Sequence, residues 1–188
     1  HLRNVPSSGM INAHGRPIED VGSVQKGVVG LLVGPNGGGL AADKAGPRIE
    51  SRDQIRLMIK TEAKRMRFSV PLALSVAHTE SNFDPRALSQ KGARGVMQIM
   101  PATSLGEYGI NADRLWEPRV NIRMGIHFLR RLIRRYGRTD LALSHYNGGS
   151  AVARFENARV LPWTHSYVRR VRSLQRRYNR NALRRGWR

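Results

Sequence analysis

Cysteine is absent from the 188-residue sequence, and long apolar runs are missing as well. The lack of cysteine excludes disulfide bonds, thiolate metal sites, a cysteine nucleophile and a lipid-modified cysteine within this chain. The longest apolar candidate, Val28 to Val33, contains a glycine and is far shorter than the roughly 18 residues that a membrane-spanning helix requires. We therefore predict a soluble chain without a transmembrane segment.

Acidic residues are scarce. The chain has 13 Asp and Glu against 33 Lys and Arg, which gives a formal net charge of +20. Such an excess of positive charge predicts an anionic partner. About 40% of the residues are apolar, and they recur at helical spacing, so a chain of this length can form the core of one domain.

The composition divides the chain into three parts. Residues 1–47 are rich in glycine, proline, serine and asparagine, which is typical of a flexible arm. Residues 48–168 have the apolar spacing of a helical domain, and residues 169–188 form an Arg-rich C-terminal helix or tail. No stretch alternates with a period of two, so we predict a mainly α fold. Helices are predicted at 51–67, 69–80, 120–136, 139–146 and 149–156, with a last one from about Thr164.

Four sequence blocks in the helical part form a recognisable pattern. The first two are Glu-Ser-Asn-Phe-Asp-Pro at 80–85 and Gly-Ala-Arg-Gly-Val-Met-Gln-Ile-Met-Pro at 92–101. The third has Leu, Pro, Asn, Ile and Gly at 115, 118, 121, 122 and 125, and the fourth spans 142–149. In this order the blocks resemble the lytic transglycosylase domain of soluble bacterial lytic transglycosylases, to which goose-type lysozymes are distantly similar. Val96 stands where the family usually has leucine.

The resemblance implies a lysozyme-like, mainly α catalytic domain in residues 48–168 that acts on peptidoglycan glycan strands. It implies that Glu80 cleaves the β-1,4 bond between MurNAc and GlcNAc, first as acid and then as base. In that family the sugar's own C6 hydroxyl closes onto C1 and forms a 1,6-anhydromuramoyl product. The resemblance also implies an exported protein that is periplasmic or associated with the cell wall, although the chain begins at His1 without a signal pattern.

The residues around Glu80 independently indicate a proton donor. An apolar run from Leu72 to Ala77 precedes it, and the predicted helix ends close to it. Burial and the negative end of a helix dipole both raise the pKa of a carboxyl group. A carboxylic acid with a raised pKa is the usual proton donor in glycosidic cleavage. Glu80 is therefore the candidate catalytic residue.

Five further residues fall at positions that the family uses around its cleft. Ser89 and Gln98 are expected to hydrogen-bond the sugar, and Tyr146 to orient either Glu80 or the sugar ring. Taken alone, Ser89 also suits a turn, Met100 suits a core position and Tyr146 suits a half-buried aromatic position. The candidate substrate-binding residues are Ser89, Gln98, Met100, Tyr146 and Asn147.

A second catalytic carboxylate, which standard glycosidases use, is not apparent. Asp84 precedes a proline in a turn, Glu107 and Asp113 are predicted in a loop, and Asp140 is predicted to cap a helix. The resemblance therefore favours a substrate-assisted reaction. A hydrolytic muramidase of the goose-type lysozyme kind is the alternative enzyme, and a non-catalytic, basic polymer-binding protein is the alternative outside catalysis.

One block departs from the family pattern. The segment 161–168 resembles a family block in which a glutamate is usual, but Trp163 occupies that position. We expect this difference to change substrate positioning more than the type of reaction.

Metal and cofactor chemistry is not predicted. His78, His127 and His145 do not have the spacing of metal ligands on one helix. Packing or surface roles are expected for all three.

The Arg-rich end contains nine arginines and no acid between residues 169 and 188. It is either the solvated face of a helix or a contact for an anionic partner, and the arginines alone do not distinguish among cell-wall polymers, nucleic acid and lipid head groups. Specific binding of nucleic acid is not predicted, because no binding module is recognisable and only Tyr178 and Trp187 interleave with the arginines.

Overall fold

Residues 10–11, 17–18, 50–152 and 157–184 are described in the computed structural model of the chain. They are mostly helical, which confirms the mainly α prediction, and two 3-10 turns, Ala112–Trp116 and Pro162–Thr164, connect helices. The other elements, in chain order, are β1 (Met10–Ile11), β2 (Pro17–Ile18), α1 (Arg52–Arg65), α2 (Val70–Ser81), α3 (Pro101–Tyr108), α4 (Pro118–Tyr136), α5 (Thr139–Gly148) and α6 (His165–Arg184).

The first two helices begin at serine caps, close to the predicted starts at residues 51 and 69. The Ser51 hydroxyl accepts a hydrogen bond from the Gln54 amide, and the Gln54 side chain accepts one from the Ser51 amide, which completes a capping box. Ser69 caps α2, and Pro71 lies in its first turn. Helix α2 ends at Asn82, whose φ of 52° is left-handed. The chain therefore turns away sharply at the C-terminus of α2.

Two expectations about the shorter helices were wrong. Helix α3 forms where no helix was predicted and where Glu107 was expected in a loop. Met100, at its N-cap, makes no side-chain cap hydrogen bond and Gly106 lies inside the helix, so Pro101 at the start was its main signal. The predicted helix at 149–156 is absent from 149–152, and residues 153–156 lie outside the described part.

Helix α2 lies at the centre of the packing. All six of its residues from Leu72 to Ala77 are buried, and the helix packs against both α1 and α6. Helix α4 packs against α1 and α5. Burial of apolar side chains therefore fixes the helix that carries Glu80.

A buried ion pair joins α1 to α4. The Glu62 carboxylate is 1% exposed and accepts a 2.8 Å hydrogen bond from Arg123 Nε and a 3.2 Å bond from Arg119 Nη1. A buried carboxylate that lost these partners would be strongly destabilising. The pair therefore constrains how α1 and α4 meet.

Helix α6 runs without a break from His165 to Arg184, which confirms the predicted C-terminal helix. Val168 and Val171 are buried against the core, whereas the seven arginines between residues 169 and 184 are exposed. Within the described part of the chain, no helix combines the length and the apolar character that crossing a bilayer requires.

Four residues of the predicted N-terminal arm are described. Strand β1 pairs with β2 in antiparallel fashion, with Met10 opposite Ile18. Strand β1 also contacts α3. The remaining residues of 1–47 lie outside the described part, and the flexible arm stays a prediction.

Candidate active site

Glu80 lies in the last turn of α2, and a hydroxyl group from another helix holds its carboxyl group. The Tyr167 hydroxyl, in the first turn of α6, donates a 2.6 Å hydrogen bond to Glu80 Oε1. Helices α2 and α6 pack against each other. The packing that fixes the Arg-rich helix therefore also fixes the candidate acid.

The environment of Glu80 favours its protonated form. Burial raises the pKa of Glu80 to about 7, and the hydrogen bond from Tyr167 opposes this effect only in part. A carboxyl group with this pKa is partly protonated and partly ionised near neutral pH. It can therefore both donate and accept a proton there.

Tyr146 lies on α5, and its hydroxyl forms a hydrogen bond with a backbone carbonyl rather than with Glu80. It donates a 2.8 Å hydrogen bond to the Met97 carbonyl. Burial, followed by the nearby charge of Glu80, raises the pKa of Tyr146. The hydroxyl that orients Glu80 therefore comes from Tyr167 rather than from Tyr146, which the sequence blocks had suggested for this role.

Polar side chains tie together the loop between α2 and α3. Ser89 Oγ accepts a 2.9 Å hydrogen bond from the Ala93 amide. Gln98 Nε2 donates 3.0 Å bonds to the carbonyls of Ala87 and Gly95. Ser89 thus has the turn role that was the alternative for it. Its hydroxyl can still donate a hydrogen bond while it accepts one, and the Gln98 side-chain oxygen can accept one. Both side chains therefore retain groups suited to a sugar.

A buried amide on α4 organises the same loop. Asn121 Oδ1 accepts a 2.7 Å hydrogen bond from the Met97 amide, while Nδ2 donates to the carbonyls of Arg94 and Leu115. A Cβ on Gly95 would lie only 2.6 Å from Asn121 Nδ2. The close approach of loop and helix therefore requires glycine at this position.

Two further contacts bring this loop against the end of α2 and against α4. Ser81 Oγ, next to the candidate acid, donates a 2.8 Å hydrogen bond to the Val96 carbonyl and accepts one from the Asp84 amide. A Cβ on Gly125 of α4 would lie 2.5 Å from Met97 Cβ. Ser81 therefore has a structural role beside Glu80.

The last two candidate residues have different surroundings. Met100 is the N-cap residue of α3 and is 7% exposed, which agrees with the core position that was the alternative for it. Asn147 is partly exposed on α5, next to Tyr146 in sequence. Contact of either residue with a sugar stays a prediction.

The other acids have structural partners and positions that correct the sequence expectations. Glu107 lies on α3 and Asp113 in a 3-10 turn, rather than in a loop. Glu107 is buried and accepts a 2.7 Å hydrogen bond from Arg131. Asp140 lies in the first turn of α5, not at its cap, and pairs with Arg138 at 2.6 Å.

Each of the three histidines considered above has a tyrosine hydroxyl as a ring-nitrogen partner. Burial lowers the pKa of all three, that of His127 to about 4 and that of His145 to about 3. The three pairs are His78 with Tyr178 at 2.8 Å, His127 with Tyr108 at 3.2 Å and His145 with Tyr136 at 2.8 Å. These contacts explain the histidines as packing residues.

Sequence reasoning missed Tyr167 and Asn121 as parts of the site. Each stands in a block that resembles the family, and that was its only signal. Neither contact follows from local periodicity, because the partners are 87 residues apart for Tyr167 and Glu80 and 24 apart for Asn121 and Met97.

Known proteins are similar to this chain over its helical part. A family profile described as "Transglycosylase SLT domain" matches residues 57–160. The transglycosylase of Enterobacteria phage PRD1 is 40% identical over 79 residues, which are 42% of this chain and 29% of that protein. The soluble lytic murein transglycosylase of Salmonella typhimurium is 34% identical over 86 residues, which are 41% of this chain and 13% of that protein.

A solved structure also has this fold. It is an inactive glutamate-to-glutamine mutant of the lytic transglycosylase Slt from Pseudomonas aeruginosa. It superposes with a TM-score of 0.55 at 26% sequence identity, and the match covers 67% of this chain and 24% of that one. The matches to this chain thus span less than a third of the length of these relatives.

Replacement of Glu80 by glutamine should stabilise the protein at pH 8 but not at pH 4. Burial raises the pKa of Glu80 from 4.5 to about 7, so the folded state binds a proton that the unfolded state releases. This contribution to stability is complete below pH 4.5 and is lost as the pH rises through 7. Glutamine carries no charge to bury, so the free energy of unfolding at pH 8 should increase by about 3 kcal/mol.

Urea denaturation at the two pH values measures this difference. Asp53→Asn removes the same charge from a side chain that is 90% exposed and serves as the control, which should show no comparable gain. If Glu80→Gln gave an equal gain at both pH values, ionisation of Glu80 would not be its cause.

Proposed function

Because the chain belongs to the Transglycosylase SLT domain family, we propose that it is a peptidoglycan lytic transglycosylase. The proposed reaction cleaves the β-1,4 bond between MurNAc and GlcNAc and leaves a 1,6-anhydromuramoyl end. The observation that supports it most is a single carboxyl group, Glu80, whose pKa is raised to about 7 by burial and whose position is fixed by Tyr167.

In the proposed mechanism Glu80 acts first as an acid. Tyr167 occupies Oε1, so Oε2 carries the proton to the glycosidic oxygen while the bond between that oxygen and C1 of MurNAc breaks. The resulting carboxylate then accepts the proton of the C6 hydroxyl as its oxygen bonds to C1. Glu80 is protonated again at the end, and no water is consumed.

The two influences on the pKa of Glu80 suit the two halves of this reaction. Burial favours the acid that starts it, and the Tyr167 hydrogen bond stabilises the carboxylate that forms in between. A general acid and base works best with a pKa near the working pH. We therefore infer that one residue performs both proton transfers.

The residues that we propose to contact the glycan are the five that the sequence blocks indicated. Ser89 and Gln98 line a loop that their own hydrogen bonds make rigid, which preorganises them for a sugar. Tyr146 and Asn147 follow on α5, and Met100 precedes α3. These five residues form the proposed substrate-binding set.

The proposed place of action is the cell wall. The Salmonella relative is named for murein, and peptidoglycan lies outside the cytoplasm. We therefore propose that the protein is exported and acts in the periplasm or at the wall.

Glu80→Gln should abolish cleavage of peptidoglycan while it preserves the fold and binding to the wall. The amide keeps the shape of the acid but cannot supply the proton, so we expect a loss of at least about 100-fold. Release of soluble fragments from purified peptidoglycan measures the activity. Retention of more than about a tenth of the parent's rate would contradict the role of Glu80.

The mass of the released fragments separates the two enzymatic interpretations. A 1,6-anhydro product is lighter than the hydrolytic product by one water. Fragments with the hydrolytic mass would identify a muramidase, and an active parent without anhydro product would overturn the lytic mechanism.

We also propose that the exposed side of α6 binds anionic polymers of the wall. Its seven exposed arginines are accompanied by no acid between residues 169 and 184. The inner side of the same helix packs on α2, so the charges are held on a rigid surface. Attraction of this kind is long-ranged and is screened by salt, with a Debye length of about 10 Å at 0.1 M.

Replacement of four of these arginines by glutamine should weaken binding to peptidoglycan at low salt and have little effect at high salt. The variant changes Arg176, Arg177, Arg180 and Arg184, and turnover of a short soluble glycan should stay the same. Sedimentation with insoluble peptidoglycan at two salt concentrations measures the binding.

A matched control removes the same charge from exposed arginines elsewhere, namely Arg52, Arg65, Arg67 and Arg159. It should keep more of the wall binding than the α6 variant. Equal losses in both variants would show that net charge, and not the α6 surface, is responsible.

A further inference from the structure

Trp163 is an exposed aromatic side chain on a rigid turn. It is 46% exposed, and hydrogen bonds on both sides hold its backbone in place. The Thr164 hydroxyl donates a 2.8 Å bond to the Leu161 carbonyl, and the Leu161 amide donates a 2.9 Å bond to Ser144 Oγ on α5. The backbone that carries the ring is therefore fixed, and the side chain is partly open to solvent.

The turn that carries Trp163 leads straight into α6. His165, at the junction, has the right-handed helical angles φ −56° and ψ −43°. Trp163 thus lies in the turn that leads into α6, four residues before Tyr167, and the Tyr167 hydroxyl contacts Glu80.

The ring nitrogen of Trp163 lies close to the last residue of α5. A Cβ on Gly148 would lie 3.2 Å from Trp163 Nε1 and 2.6 Å from Thr164, so the absence of a side chain at Gly148 makes room for this turn. Tyr146 lies two residues earlier on α5. Trp163 thus lies between the ends of the two helices that carry Tyr146 and Tyr167.

We propose that Trp163 is a platform on which a sugar ring of the glycan strand stacks, beside the bond that Glu80 cleaves. An indole offers a large flat apolar face and one N–H donor, and a pyranose ring has apolar C–H faces and polar edges. Aromatic walls with a few polar groups are typical of small-ligand sites. Because the turn is already rigid, little ordering is needed when the sugar binds. The inference rests on the proposed function, since it takes the glycan strand as the substrate.

Calorimetry with a GlcNAc-MurNAc tetrasaccharide tests the platform. Glu80→Gln is the parent in this experiment, so that the sugar is bound but not cleaved. Addition of Trp163→Ala should raise the dissociation constant about tenfold, the effect of losing a favourable aromatic contact. Trp163→Glu, which places the family's usual residue there, should weaken binding as well, whereas Trp163→Phe should restore part of the affinity.

Trp116→Ala is the matched control. Trp116 is also exposed, at 38%, but it lies in the 3-10 turn before α4, where Arg94 is over its ring. The dissociation constant should not change in this variant. Melting temperatures identify any variant that fails to fold, and the glutamate variant then replaces the alanine one.

The outcomes separate this inference from the proposed function. Affinity within twofold of the parent in both the alanine and the glutamate variants would overturn the platform and leave the proposed reaction untouched. Strong binding that depends on Trp163, together with no anhydro product from the active chain, would overturn the reaction and keep the platform. A parent that binds no tetrasaccharide would overturn the platform.

Discussion

The hydrogen bond between Tyr167 and Glu80 joins the two helices on which the site depends. It requires α6 to lie along α2, and that packing buries Val168 and Val171 of α6. Glu80 lies at this contact, and burial raises its pKa. The raised pKa of Glu80 is therefore a consequence of burial in the packed helices rather than of a neighbouring charge.

The loop between α2 and α3 depends on a second constraint, a backbone that approaches α4 very closely. Asn121 bonds to three backbone groups around this loop, and Gly95 and Gly125 leave the space that the contact needs. A buried amide whose bonds are all made adds rigidity as well as stability. The loop can thus hold Ser89 and Gln98 in fixed positions without being part of a helix.

Local sequence rules predicted the long helices but not the contacts of the site. The caps at Ser51 and Ser69 and the apolar spacing are local signals, so α1 and α2 were found within two residues of their ends. Helix α3 was missed because Met100 provides no cap bond. Tyr167 could not be given its role, because which tyrosine reaches Glu80 depends on how α6 packs on α2, and no local pattern encodes that contact.

A measurement of the pKa of Glu80 is the most direct test of the proposed mechanism, because the acid and base roles of Glu80 both depend on this value. Carbon-13 NMR of the Glu80 side-chain carboxyl, assigned by comparison with Glu80→Gln, measures this value in the folded protein. We predict a titration midpoint of about 7, and a further rise in Tyr167→Phe, which lacks the hydroxyl that stabilises the carboxylate. A midpoint near the ordinary value of 4.5 would contradict it, because Glu80 would then be almost fully ionised at neutral pH.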